Sequence, residues 1–281
     1  MAKVLIAGCG DIGTSLGKAL IKSGHYVVGL RRHLPIENLG INFIAVDLTN
    51  PSTLRNLDTD FDQVFFMAAP KEHDLHAYKQ IYEVGLENLL YKLSKSQHNP
   101  DWILISSTSV YGQEDGGWVD ETSLAEPKRF NGQLQLLSEQ RVLSENKNNL
   151  IVRFSGIYGP GRKRLLRMAQ KGCPIQHKPP YFTNRIHKDD CAGVLKFLFE
   201  KRVDGKKLHS HYLASDDQPA PMWDVVSWIA KQLKCKQPDI KATERDVTKN
   251  KRCCNKRLKD LGYHFTYPTY KEGYQQVIDN F

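Results

Sequence analysis

Gly8, Gly10 and Gly13 stand at Gly-x-Gly-x-x-Gly spacing, with Cys9, Asp11 and Ile12 between them. They follow the apolar run Val4–Ala7 and precede a segment of helical period. Glycines so placed let backbone amides approach a phosphate, and the first turn of a following helix adds open amides and the positive end of its dipole. The expected chemistry is capture of a pyrophosphate, and hence of a dinucleotide, at residues 8–13. At the end of the next apolar run stands Arg31-Arg32, with no acid adjoining. A guanidinium fork suits a phosphate, whereas a carboxylate there would bind a ribose 2′-hydroxyl, so this pair selects NADP over NAD. Asp47, closing the third run, is placed either to accept from an adenine amino group or to cap a helix or close a turn.

These residues need strands and helices to hold them. Val4–Ala7, Tyr26–Leu30, Phe43–Val46, Val64–Met67, Trp102–Ser106, Leu150–Phe154 and His209–Leu213 are nearly continuous in apolar character, as strands covered on both faces should be. Helical stripes alternate with them, Leu16 and Leu20 after the first and Ile81, Leu86, Leu89, Leu90 and Leu93 before the fifth. That alternation predicts βαβ units and an α/β, Rossmann-type doubly wound parallel sheet. Beyond Phe154, Pro160, Pro174, Pro179 and Pro180 punctuate the chain, which predicts a smaller C-terminal substrate lobe. The expected division is residues 1–157 with 186–214 completing the sheet, and a lobe of 158–185 and 215–281.

Composition narrows the partners. The 40 Lys and Arg outnumber the 31 Asp and Glu, for a net charge of +9. They are mixed with carboxylates along the chain and form no recognition helix, metal knuckle or aromatic-basic platform, so no nucleic-acid partner is expected. No apolar run approaches the ~20 residues that span a bilayer, so no membrane partner is expected. The six cysteines lack any Cys-x-x-Cys pair, which predicts reduced thiols, a cytoplasmic setting and no metal. The first residues lead into a strand and not into a leader's cleavage site. The partner implied is an anionic small molecule, and a homodimer is compatible with this surface.

Further motifs carry a resemblance. Ala68-Ala69-Pro70 follows the fourth run, and Ser106-Ser107-Thr108-Ser109-Val110-Tyr111-Gly112 follows the fifth. Arg153 through Tyr158-Gly159-Pro160-Gly161-Arg162, then Arg185-Ile186-His187-Lys188-Asp189-Asp190, then Leu261-Gly262-Tyr263, complete the series. In this order they resemble the extended short-chain dehydrogenase/reductases, which include NAD-dependent epimerases and dehydratases of nucleotide sugars. The resemblance implies that Ala68, Ala69 and Pro70 line the cofactor and that Ser107 and Ser109 hold a substrate carbonyl or hydroxyl, stabilising charge on oxygen.

It also exposes a departure. The family's catalytic tyrosine and lysine fall on Asn131 and Gln135, and between Gly112 and Ile157 there is no tyrosine and no lysine besides Lys128 and Lys147. This matches the atypical branch of the superfamily. Neither amide titrates near neutrality, and loss of a positioned general acid costs ~10²- to 10⁴-fold in rate. The resemblance offers Tyr158, His187 and Glu121 as substitute acids, although packing suits Tyr158, helix capping suits His187, and Glu121 is expected to be exposed. It assigns Arg162, Arg164 and Arg185 to the phosphates of a nucleotide-sugar substrate. Two functions stand: an epimerase/dehydratase-like or oxidoreductase-like enzyme with a non-standard active site, or an NADP-binding sensor without turnover.

Overall fold

The computed structural model describes residues 1–96, 98–241 and 250–280. One seven-stranded sheet holds β1 (Lys3–Ala7), β2 (Tyr26–Arg31), β3 (Asn42–Ala45), β4 (Gln63–Phe66), β5 (Asp101–Ser107), β6 (Leu150–Phe154) and β7 (His211–Ala214). Their spatial order is β3-β2-β1-β4-β5-β6-β7. β1 runs parallel to β2 and β4, with Val4 opposite Val27 and Gln63, and β2–β3 and β4–β5 are parallel too. This is the expected doubly wound Rossmann sheet. The order reverses at β1 and β4, so the crevice for a ligand lies beyond their carboxyl ends, where Gly8 and Ala68 stand.

The chain divides into two compact units, 1–110 with 126–153 and 192–212, and 111–125 with 154–191 and 213–281. The first contains α1 (Asp11–Lys22), α2 (Leu75–Lys79), α3 (Leu86–Leu93) and α4 (Phe130–Glu145). Its core gathers Leu5, Val28, Val64, Phe66, Leu86, Leu89 and Leu104 among others, all buried. The single helix expected through Ile81 to Leu93 is instead α2, a π-helical turn over Gln80–Gly85, and α3. A π turn inserts one residue per turn and re-aims the side chains on it, which is frequent at functional sites. Here it buries Tyr82.

The second unit contains α5 (Arg164–Gln170), α7 (Met222–Gln232), α8 (Lys256–Asp260) and α9 (Tyr270–Asp279), with α6 (Lys188–Val203) beginning in its range. Leu166, Ala169, Val225, Val226, Ile229, Tyr274 and Val277 form its core. Residues 111–125, expected with the sheet, group with this unit. The cause is long-range pairing: Trp118–Val119 lies parallel to Arg252–Cys253, and the Leu213 amide donates to Glu121 at 2.7 Å.

Candidate functional site

The glycine turn brings two backbone segments unusually close together. Gly8 has φ +85°, and a Cβ on it would lie 2.4 Å from the Cα and N of Ala68, so β1 and the Ala68-Ala69-Pro70 loop approach more closely than any side chain allows. The Gly13 Cβ would come within 3.1 Å of Ile6, so this glycine sets the packing of α1 on β1. Gly10 differs. Its φ is −85°, and its Cβ would meet nothing nearer than the Gly8 carbonyl at 4.0 Å. No neighbouring side chain or backbone atom crowds that position, and the space above it suits the close approach of a pyrophosphate. α1 has no side-chain N-cap, so the amides of Ile12 and Gly13 stand open at the helix's positive end. The residues present therefore fit a dinucleotide. Cys9 is no nucleophile: it is fully buried against Gly29, and burial pushes its thiol up to about 11.

Arg31 ends β2 with its guanidinium 5.7 Å from the Phe43 ring, and Arg32 beside it is exposed. Asp47 is engaged in a turn: its Oδ1 accepts from the Thr49 amide at 3.0 Å and hydroxyl at 2.7 Å. The Thr49 bonds, aided by the field of Arg32, hold its carboxyl below the usual range. The turn role and adenine binding are compatible, because both Thr49 bonds fall on one oxygen.

The serine run begins at the end of β5. Ser107 Oγ accepts from the Ser109 amide at 3.1 Å, and the Ser109 hydroxyl donates to Gln135 Oε1 at 2.6 Å. Gln135 Nε2 in turn donates to the Tyr82 hydroxyl at 3.3 Å. α4 can come this close because of Gly132, whose Cβ would lie 2.4 Å from the Ser109 carbonyl. The buried face of α4 is polar, with Gln135, Ser138 and Glu139 all under a tenth exposed, so hydrophobic periodicity does not reveal it. Tyr82 escapes sequence reasoning as well. Its phenol is pushed up to about 12 by burial, so it stays un-ionised near neutrality while accepting from Gln135. Asn131 occupies the first turn of α4, half-buried.

The proposed substitute acids lie in the second unit. Tyr158 is stacked on Tyr274 at 4.4 Å, and its hydroxyl fills the notch left by Gly273, whose Cβ would lie 1.9 Å away. Burial first, then the field of Asp216, drives its pKa far above the usual phenol range. The expectation that Tyr158 supplies a proton is corrected: it packs. Glu121 is not exposed either. Its side chain is 3% accessible, faces Arg257 at 3.6 Å, and is held protonated to higher pH by burial. Arg185, expected on a substrate phosphate, is 4% exposed and donates to Thr183 Oγ1 at 2.6 Å, with Asp216 and Tyr274 also in its field. It is committed within the unit. Asp190 accepts from the Tyr263 hydroxyl and the amides of Thr266 and Tyr267, which gives the Leu261-Gly262-Tyr263 motif a structural role.

His187 caps α6. Its Nδ1 accepts from the Asp189 amide at 3.3 Å, and its Nε2 meets Gln276 at 3.1 Å. It is wholly buried between Tyr158 and Tyr267. Burial lowers its pKa, against the opposing pull of Asp189 and Asp190. The unfolded chain thus binds a proton at a pH where the folded chain does not. Stability from this group is complete above the ordinary value of 6.5 and is lost as pH falls through the lower folded value. Urea midpoints at about pH 7.5 and pH 5.5 should show wild type losing more stability on acidification than His187→Gln. An equal loss in both proteins would remove His187 as the cause.

The architecture invites comparison. The family model for the RmlD substrate binding domain matches residues 2–281. Among curated protein sequences none matches the chain. A solved structure from Methylobacillus flagellatus, put forward as an NAD-dependent epimerase/dehydratase, is 34% identical, covering 99% of this chain and 98% of its own with a TM-score of 0.84. Two further structures, below 25% identity, share the fold. UDP-glucuronic acid 4-epimerase from Bacillus cereus in complex with NAD is 21% identical, covering 99% of each chain with a TM-score of 0.76. UDP-glucose 4-epimerase with UDP-glucose from Thermotoga maritima is 16% identical, covering 99% of this chain and 97% of its own with a TM-score of 0.81. No helix among the described residues is long and apolar enough to cross a membrane. With a sheet that reverses at a glycine turn and a family match from end to end, the chain belongs to the RmlD substrate binding domain family, as an atypical extended short-chain dehydrogenase/reductase.

Proposed function

We propose that the chain binds NADP(H) at the glycine turn and acts on a nucleotide sugar or similar small molecule, using a neutral hydrogen-bond array where the family uses an ionisable tyrosine. The observation that carries the reading is Gly10, which no neighbouring side chain or backbone atom crowds. The Ile12 and Gly13 amides hold the pyrophosphate, Ala68, Ala69 and Pro70 border it, Asp47 takes the adenine amino group, and Arg31 with Arg32 takes the 2′-phosphate. When bound, the nicotinamide supplies hydride chemistry.

The direction of the hydrogen bonds gives the two serines different work. Gln135 Oε1 can only accept, so the Ser109 proton is turned toward it and the Ser109 oxygen presents lone pairs to a substrate hydroxyl. Ser107 accepts from the Ser109 amide, and among the described residues no acceptor takes its own proton, which remains to polarise a carbonyl. Asn131 adds an amide donor at the start of α4. No member of this array exchanges a proton readily near neutrality, since Tyr82 is held up at about 12. That observation favours a second reading, tight cofactor binding with slow or no turnover, as in a redox-state sensor.

Titration with NADPH and NADH tests the cofactor assignment. Replacing Arg31 and Arg32 together by alanine should weaken NADPH binding by roughly 10- to 100-fold, as expected for lost charge-assisted bonds, and leave NADH binding nearly unchanged. Equal weakening of both would remove the 2′-phosphate role. Failure of the wild-type protein to bind either would overturn the reading. Oxidation of NADPH with nucleotide sugars or ketones separates the enzyme from the sensor.

A further inference from the structure

Tyr158, His187 and Glu121 are committed to packing, capping and an ion pair within the second unit, so none of them supplies a proton at the serine run. The first unit holds another imidazole. His73 lies three residues beyond Pro70, in the loop that leaves the carboxyl end of β4, and it is exposed. Histidine is the side chain whose ordinary proton exchange spans neutrality.

This ring is held on two flanks. Its Nδ1 lies 3.1 Å from the Tyr78 hydroxyl on α2, and the two rings meet edge-on with centroids 5.4 Å apart. Phe130 closes the other flank, with its ring 5.7 Å from that of His73 and 5.4 Å from that of Tyr78. A hydroxyl can follow an imidazole through a change of charge, donating to Nδ1 when the ring is neutral and accepting from it when the ring is charged. Tyr78 is suited to both states, because burial raises its phenol pKa and keeps the hydroxyl un-ionised. The ring keeps one orientation while Nε2 gains and loses a proton.

The pair is tied to the serine run from two directions. Phe130 opens α4 and directly precedes Asn131, on which the family's tyrosine falls. Tyr78 also packs on Tyr82 at 5.6 Å, and Tyr82 accepts from Gln135, which accepts from Ser109. His73 thus joins the loop proposed to border the cofactor to the start of the helix that approaches Ser109. The other charged or titratable groups on these segments are Lys71, Glu72 and Asp74 beside His73, His76 and Lys79 on α2, and Lys128 and Arg129 before Phe130. Asp74 is engaged as the cap of α2, its Oδ1 accepting from the Ala77 amide at 2.8 Å.

We infer that His73 is the proton donor and acceptor of the site, with Tyr78 as the positioning residue that aims Nε2. The inference rests on the reading that the chain binds NADP(H) and acts on a small molecule, and within that reading it favours the enzyme over the sensor. In the direction of reduction, the substrate's carbonyl carbon takes a hydride from NADPH and its oxygen takes the Nε2 proton. An alcohol and NADP⁺ result, and solvent returns a proton to the neutral ring. In the reverse direction the neutral ring accepts the proton of the substrate hydroxyl.

NADP⁺ and NADPH carry the same phosphates and differ by one positive charge on the nicotinamide, so an imidazole beside that ring senses which is bound. The test follows the imidazole signals of the full chain by NMR as pH is varied at low ionic strength, with each dinucleotide at saturation. His73→Gln identifies the His73 signal by its loss and separates it from His76. That signal should titrate at lower pH with NADP⁺ than with NADPH, by about 0.5 pH unit for a separation of roughly 6 Å even at the dielectric of bulk water. By reciprocity, the affinity for NADP⁺ relative to NADPH should rise about threefold as pH passes upward through that range, and should stay flat in His73→Gln. Tyr78→Phe frees Nδ1 and should narrow the difference between the two midpoints; an unchanged difference would remove Tyr78 as the positioning residue. Equal midpoints with the two dinucleotides, or the same rise in His73→Gln, overturn the inference and leave the cofactor reading intact. If neither dinucleotide binds, the cofactor reading falls and the role of His73 falls with it.

Discussion

Glu139→Ala is expected to lower the stability of the protein by about 3–5 kcal/mol, the typical cost of removing one partner of a buried ion pair. For a chain of this length that is a fall in melting temperature on the order of 10 °C. Glu139 and Arg153 are 1% and 5% accessible, and the pair is bidentate, with Arg153 Nη2 at 2.6 Å and Nε at 3.0 Å. His211 Nε2 stands 3.8 Å from the same carboxylate. The alanine removes both oxygens to which the buried guanidinium donates through Nε and Nη2. Glu139→Leu combined with Arg153→Met removes both charges at similar volume and should recover most of the loss. A single substitution that costs under about 1 kcal/mol would show that the pair is solvated like a surface bridge.

The second large effect falls on ligand binding. Gly8→Val should weaken NADPH binding by about 100-fold or more, or about 2.7 kcal/mol. The left-handed φ alone costs a residue with a side chain roughly 1–2 kcal/mol. The greater effect is displacement: with Cβ 2.4 Å from the Ala68 backbone, the valine must push the Ala68–Pro70 loop away from the turn, and both border the proposed cofactor. Gly10→Ala is the informative companion. Its Cβ meets nothing within the chain closer than 4.0 Å, so the variant should fold as wild type and lose affinity only because the methyl occupies the ligand's space. If Gly10→Ala bound NADPH undiminished, the pyrophosphate would not lie over that residue.

Much of this protein is legible in its residues because the relevant signals are local. Runs of apolar residues four to six long mark strands covered on both faces, and the observed β1, β2 and β6 start or end within a residue of where those runs do. The glycine turn is likewise a statement about a dozen consecutive residues, and about backbone angles that only glycine adopts without strain. The replacement of an ionisable pair by Asn131 and Gln135 is read from residue type alone.

What the sequence could not determine involves residues far apart in the chain and polar groups facing inward. Tyr82 and Gln135 are 53 positions apart and meet because a π turn re-aims one and Gly132 lets the other approach. Glu121 reads as a surface acid, yet the pairing of 118–119 with 252–253 carries it indoors. Tyr158 and Arg185 belong to motifs associated with ligands, but burial among Tyr274, Asp216 and Thr183 turns both to packing. Local periodicity and backbone sterics act over a few residues and so determine the elements and the glycine turn. Desolvation and hydrogen-bond direction depend on everything a side chain touches, and only the folded chain decides which polar groups are held for a ligand.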